Sequence, residues 1–285
     1  MKTKQEKKYL INKYLFKILM LIISATVVFF IVFPILWMLP SAFKDKRELF
    51  ALPNHFWPKS FKFDNFKEVF HLYDIDFTAS LFSTLGVAVT AVVLSLLINM
   101  LAAYAFARLE FPGKNFLFGL VMLSMFIPGV TILMTSVRLV SAMGMLDTFL
   151  VLVLPGAANA YNIFFFRQFF FGLPSSLEEA AILDGSTQYG IFFKMFMPLA
   201  LTPMVIIGIG VFMGYWNSYL WPTLTIINNT ELRQVMQVLR ILSGSKANDY
   251  GVVVAASLIS LIVPITLFAV FQKYIVQGIA ISGIK

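Results

Sequence analysis

The chain has 285 residues, of which 59% are hydrophobic, and carries 22 basic and 14 acidic side chains for a net charge of +8. Those charges avoid six long stretches, 18–43, 77–107, 115–137, 148–166, 195–230 and 250–272. A water-soluble domain is excluded, because its core helices are amphipathic and carry a charge every turn or two, and an outer-membrane barrel is excluded because runs such as Val87 to Leu94 do not alternate apolar with polar residues.

A helix rising about 1.5 Å per residue needs roughly 20 residues to cross the hydrocarbon. Each stretch is long enough, the fourth barely, so the chain reads as an all-α membrane protein with six transmembrane helices. Residues 1–17 contain Lys2, Lys4, Lys7, Lys8, Lys13 and Lys17. Immediately before an apolar run, these lysines are a topology signal for a cytoplasmic tail rather than a nucleic-acid patch. Six spans then return the tail 273–285 to the same side, giving two cytoplasmic termini. The first helix, 18–43, is too long for a signal-peptide core, and Leu39 to Ala42 is a poor cleavage site, so it is expected to be retained.

Residues 44–76 form an extracellular loop. Pro53, Pro58 and the aromatics Phe56, Trp57, Phe61, Phe63, Phe66 and Phe70 make it too apolar for a linker, and short amphipathic pieces on the membrane surface are expected. The remaining five helices occupy 77–272. Pro34, Pro128, Pro155 and Pro264 lie within spans and are expected to kink them. The stretch 195–230 exceeds one span and is divided by Pro198, Pro203 and Pro222, so only about 200–226 is expected to cross. An outer loop, 227–249, precedes the last helix.

The segment 171–198, on the cytoplasmic side, carries the most local information. Pro174 stops the preceding helix, Ser175 or Ser176 can cap the next, and Glu178 and Glu179 stand three residues further on at capping-box spacing. Gly185 supplies the left-handed residue that ends this helix. A capped surface helix needs no partner. Against that reading, Ala180 and Ala181 allow another backbone to approach closely, while Leu177 and Leu183 present apolar surface where no lipid covers it.

Glu179-Ala180-Ala181, Gly185 after three intervening residues, then Met195 and Met197-Pro198, resemble the EAA loop of binding-protein-dependent ABC importer permeases. Asp184 before the glycine makes the match closest to the carbohydrate importers, in particular the six-span permease of the maltose type. Met195 and Met197 replace isoleucine and leucine with apolar side chains of similar size. The similarity continues through Ala103 to Arg108, Phe111 to Lys114, Ile127-Pro128, Phe164 to Phe170, Trp216-Asn217, Leu220 to Pro222 and Gln277 to Lys285. The resemblance implies a type I ABC importer permease fold in a bacterial cytoplasmic membrane. It also implies that the EAA helix docks on a separate ATPase subunit, with Glu179, Ala180, Ala181, Asp184, Gly185 and Pro198 as the coupling residues. The implied partners are a homologous second permease, ABC ATPase subunits, an extracellular solute-binding protein facing 227–249, a sugar and membrane lipid. ATP and magnesium would sit on the ATPase.

No cofactor or catalytic constellation is expected in this chain. Gly113-Lys114 is followed by Asn115 and has Arg108 where a P-loop needs its first glycine, and Leu242 to Ser245 only faintly resembles an ABC signature, reading better as a loop. His55 and His71 stand alone without cysteine, so no metal site is expected. Ion-coupled carriers keep an ionisable group at membrane depth. These spans keep none, so an external energy source and a neutral solute are expected. The neutral polar residues Ser95, Asn99, Asn159, Asn162, Tyr161, Tyr215, Trp216, Asn217 and Tyr219 suit a polyhydroxylated ligand, with Asn162, Asn217, Trp216 and Tyr215 as the candidate pathway residues. Interhelical hydrogen bonding and interfacial anchoring are the competing roles for each. A non-sugar ABC substrate, an ion-coupled transporter and a membrane scaffold without a pathway are the alternatives.

Overall fold

The computed structural model describes the backbone of residues 4–71, 75–245 and 250–283, with side chains at 12–45, 47–71, 75–244 and 250–275. Among these residues every regular element is a helix and none is a strand. It divides into two compact units, Met1–Val69 with Ser245–Leu258, and Phe70–Gly244 with Ile259–Lys285. The lysines at 2, 4, 7 and 8 and the closing segment 277–285 lie outside the described side chains.

In the first unit, α1 (Lys4–Ser41) contains Pro34 and Pro40 and exposes apolar side chains along its described length. The segment that follows contains short helical pieces folded against one another. Its helices α2 (Lys46–Leu49) and α3 (Asp64–Val69) are short. Between them the Phe43 ring meets Phe61, Phe63 and Phe66 at 5.5, 5.2 and 5.0 Å. Lys44 is buried, and its ammonium donates to Asn54 Oδ1 and to the His55 carbonyl. Asn65 Nδ2 donates to the carbonyls of Ala42 and Lys44 at 2.7 and 2.9 Å, closing the loop back on the end of α1.

The second unit is organised by α4 (Phe77–Arg108), a 32-residue helix without proline or interruption. Asp76 caps it by accepting from the Ala79 N–H at 2.8 Å. Ala88, Ala91 and Ala103 on its inner side are fully buried, and such small residues let neighbouring helices approach closely.

The spans expected at 115–137, 148–166 and 200–226 are not straight helices. α5 (Lys114–Ser124) and α6 (Gly129–Ala142) are bent by 102° at Pro128. α7 (Phe149–Val153), with a 3-10 turn over Leu154–Gly156, meets α8 (Ala160–Phe171) at 48°. After α9 (Ser175–Leu183) and α10 (Gln188–Ile191), a π-turn over Phe192–Phe196 leads into α11 (Met197–Leu199). That segment meets α12 (Leu201–Trp216) at 78°. Three unbroken helices, within α1, α4 and the last helix, are long and apolar enough to cross a membrane, or up to six when each bent pair counts as one.

The expected fifth span breaks again at Asn217, before α13 (Leu220–Thr225). Part of the segment expected to form an outer loop is helical too. α14 (Val235–Ser245) buries Val235, Val238 and Leu242, so residues 242–245 end a helix rather than form a loop. Its start is tied to α4, with Thr84 Oγ1 accepting from the Val235 N–H at 2.8 Å. The last helix, α15 (Tyr250–Gly283), runs through Pro264.

Asp147, between α6 and α7, holds the segment after α13 in place. In the left-handed conformation at φ 59°, its carboxylate accepts from the N–H groups of Ile227, Asn228 and Asn229 at 2.6, 2.8 and 3.1 Å. Those backbone bonds, the Asn229 bond foremost, hold the Asp147 carboxyl below its ordinary value of 3.8. A depressed carboxyl stabilises this clasp at every pH above the unfolded value and loses that contribution as pH falls through the lower folded value. Amide-exchange protection of residues 227–229 is therefore expected to stay level from about pH 8 to about pH 5 and to fall in stronger acid. Asp147→Asn keeps a residue that tolerates φ > 0 but removes the charge, and should lower the protection across the whole range.

Candidate functional site

Breaking a helix at membrane depth leaves carbonyl and N–H groups that only neighbouring protein can satisfy. The α7–α8 break has four such groups paired. Trp221 Nε1 donates to the Val151 carbonyl at 2.9 Å, and the Tyr215 hydroxyl donates to the Val153 carbonyl at 3.1 Å. Asn99 Nδ2 donates to the Ala157 carbonyl at 2.9 Å, while Asn99 Oδ1 accepts from the Asn159 N–H at 2.8 Å. Side chains from α4, α12 and α13 thus fix one irregular segment.

Against that segment lies a cavity of about 760 Å³. Ser95, Ser136, Asn159, Tyr161, Asn162 and Tyr215 supply its polar lining, with Trp221 as an aromatic wall and aliphatic residues of α6 and α12 opposite. Among the described residues no charged side chain lines it. Asn162 is buried with its amide nitrogen 3.5 Å from Ser95 Oγ, at the long limit of a hydrogen bond, so its polar atoms are weakly engaged. Gly156 is required at the break because a Cβ there would collide with the Tyr215 hydroxyl. Gly156→Ala is expected to lower stability by about 1–3 kcal/mol, the usual cost of overpacking. Adding Tyr215→Phe should recover part of that loss, as read by thermal unfolding in detergent.

The candidate pathway residues therefore separate. Asn162 and Tyr215 line the cavity, joined by Ser95, Asn159 and Tyr161. Trp216 does not; it is buried and stacks on Phe212 at 5.8 Å, a packing residue of α12. Asn217 terminates α12 with its own N–H donating to the Met213 carbonyl, its side chain is exposed, and it lies outside the cavity lining. Asn99 serves as an interhelical tie. Neither Gly156, Ser136 nor Trp221 was marked as a pathway residue by the sequence. Tryptophan directly before Pro222, with an indole N–H that must find an acceptor, was the available signal for the last.

At the far end of α8, α9 starts at Pro174, which occupies the N-cap with an extended ψ of 135°. Ser175 is consequently already inside the helix and neither serine caps it. Glu178, expected in a capping box, turns instead toward Arg108, with 3.9 Å between their charged atoms and both side chains mostly buried. Glu179 stays exposed. Ala181 is buried in the protein's own core beside Phe170 and Ile191, whereas Ala180 is exposed, so only Ala180 keeps a surface for another backbone.

Gly185 adopts φ 78°, as expected. Its N–H donates to the Ile182 carbonyl and that of Ser186 to the Ala181 carbonyl, both at 2.9 Å, which is the Schellman pattern. Thr187 then caps α10 by accepting from the Gly190 N–H at 3.2 Å. The turn leaves Ile182, Leu183, Asp184 and Tyr189 exposed, Leu183 at 87%. Pro198 is exposed in α11, one turn before the 78° bend.

Comparison with known proteins agrees with this architecture. The arabinooligosaccharides transport system permease protein AraQ of Halalkalibacterium halodurans is 31% identical over 263 residues, covering 92% of this chain and 94% of that protein. The sn-glycerol-3-phosphate transport system permease protein UgpE of Pectobacterium atrosepticum is 29% identical, covering 88% and 92%. Among solved structures, a bacterial ABC transporter involved in the import of the acidic polysaccharide alginate contains a chain that superposes with a TM-score of 0.80 at 21% identity, over 96% of this chain and 99% of that one. Residues 98–281, from the middle of α4 through the cavity and the Gly185 turn into α15, match a single family, and the chain belongs to it: the binding-protein-dependent transport system inner membrane components.

Proposed function

We propose that this chain is one of two permease subunits of an ATP-driven importer for a neutral sugar or oligosaccharide. Both termini are cytoplasmic in this reading, α9 and the Gly185 turn dock on a separate ATPase that carries ATP and magnesium, and the outer segment 227–249 meets a solute-binding protein. The observation that carries it is the pairing of an exposed, apolar EAA turn with an uncharged cavity in the same compact unit. A cytoplasmic turn with exposed Leu183 and Tyr189 suits a protein partner. A cavity of hydroxyl, amide and aromatic groups suits a ligand that needs hydrogen bonds and a flat apolar wall. Exposed Glu179 is the residue available for a cation of the ATPase.

Relatives named for glycerol phosphate and for alginate handle anions, whereas the cavity described above offers no cation. An ion-coupled carrier has even less support, because no carboxylate lines the cavity either. The test is reconstitution in proteoliposomes with the genetically adjacent permease, ATPase and binding protein. ATP- and binding-protein-dependent uptake of a neutral oligosaccharide, with loss of ATPase co-purification in Glu179→Lys, is the expected result. Uptake driven by an ion gradient without ATP overturns the reading, and uptake confined to anionic solutes overturns its neutral-substrate part.

A further inference from the structure

The coupling turn must pass its displacement to the helices around the cavity, and the two adjoining helices are poorly suited to carry it. α8 is separated from α7 by the 48° break, and α10 is followed by a π-turn and the 78° bend before α12. α4 is continuous from Phe77 to Arg108, and the same helix carries Ser95 at the cavity and Asn99 at the break. Its cytoplasmic end is joined to both sides of the turn by two residues four apart, hence on one face. Arg108 donates to the carbonyls of Phe170 and Leu173, at the end of α8 and just before α9, and faces Glu178 inside α9. Tyr104 donates from its hydroxyl to Gln188 Oε1 at 2.7 Å, beyond the Gly185 turn, while its ring packs on Phe170, Phe192 and Phe196.

We infer that Arg108 and Tyr104 are positioning residues for energy coupling, a two-point joint through which movement of α9 and its turn is delivered to α4 and along it to the cavity. The distance from Arg108 to Ser95 along the helix is roughly 20 Å at about 1.5 Å per residue, within one rigid element. The chemistry of the joint fits a moving part. Arg108 donates to two carbonyls and stands 3.9 Å from the Glu178 carboxylate, and its Cζ lies 5.1 Å from the centre of the Phe196 ring on the π-turn. Its Nε is buried without a hydrogen-bond partner, so this arrangement leaves one donor of the joint unmet. Glu178 and Glu179 then divide their work: the first faces inward to α4 and the second faces outward. This inference rests on the permease reading above and assigns the internal route that reading leaves open.

The test uses the complete reconstituted transporter carrying Tyr104→Phe or Glu178→Gln, near-isosteric changes that remove one hydroxyl or one charge and keep the packing. Solute imported per ATP hydrolysed is measured together with complex recovery and thermal stability. Import per ATP should fall roughly fivefold in Tyr104→Phe, the factor expected from losing one hydrogen bond of ordinary net strength, and should fall also in Glu178→Gln, which removes the charge facing Arg108, while complex recovery and stability stay near wild type in both. Arg108→Lys, which keeps the charge but not the planar fork, should give a larger fall than either. Absence of ATP-dependent import by the wild-type complex overturns the permease reading itself. Wild-type import with unchanged coupling in both isosteric variants overturns only the joint, and so does a fall in import that merely tracks lost complex or lowered stability.

Discussion

Replacing Gly185 by valine is expected to abolish ATP-driven import while leaving the chain inserted and its cavity able to bind solute. At φ 78° a β-branched residue carries a strain of roughly 1–3 kcal/mol, and the cheapest relief is to leave the left-handed conformation and dissolve the Schellman turn. Space is not the constraint, since a Cβ at Gly185 meets nothing within 4 Å. Asparagine, which tolerates the left-handed region, should therefore keep most of the activity that valine loses. Import, ATP hydrolysis and ATPase co-purification measured side by side separate the two outcomes. Equal activity of Gly185→Val and wild type would show that the conformation of the turn is immaterial.

Asn99→Leu should have the largest effect on stability. The change removes the side-chain partner of both the Ala157 carbonyl and the Asn159 N–H at the break. A loss of about 2 kcal/mol or more is expected, well above the roughly 0.6 kcal/mol average for a single interhelical hydrogen bond in a membrane protein. Asn162→Ala is the contrasting variant. Its contact with Ser95 is 3.5 Å long, so its stability should change little while solute affinity falls. Unfolding in detergent and binding-protein-dependent uptake distinguish a residue that holds the break from one that faces the solute. A stable Asn99→Leu would mean that the break is held by Trp221 and Tyr215 alone.

Much of this organisation was legible in the residues. Charge-free runs announced membrane helices because charge is costly in hydrocarbon, and the prolines at 128, 155 and 198 stand at or beside the breaks between helix segments. The Gly185 turn was readable because a left-handed residue after a helix has few solutions. Two local expectations failed, one for a neighbouring residue and one for a distant one. The serines at 175 and 176 and the box acid Glu178 form a sound capping pattern, yet Pro174 begins the helix one residue earlier and Arg108 draws Glu178 away. Capping is decided within four residues, whereas Arg108 arrives from a helix 70 positions upstream in sequence.

The candidate pathway residues divide on the same principle. Asn162, Asn217, Trp216 and Tyr215 look alike in sequence as neutral polar or aromatic groups among apolar neighbours. Which of them reaches the cavity depends on the helix rotation and on the breaks at Gly156 and Asn217, and neither is a property of composition. Trp216 and Tyr215 are adjacent, yet a turn of about 100° per residue sends one into packing against Phe212 and the other toward the α7–α8 break.

By itself, the sequence determined the membrane class, the family and the Gly185 turn, because each rests on local composition or on a motif whose spacing is its meaning. Tertiary structure decided the rest: which hydroxyls and amides surround the cavity, which of two neighbouring glutamates faces inward, and which helix remains whole. Those outcomes follow from satisfying the backbone groups of broken helices and the donors of Arg108, and their partners come from elements far apart along the chain.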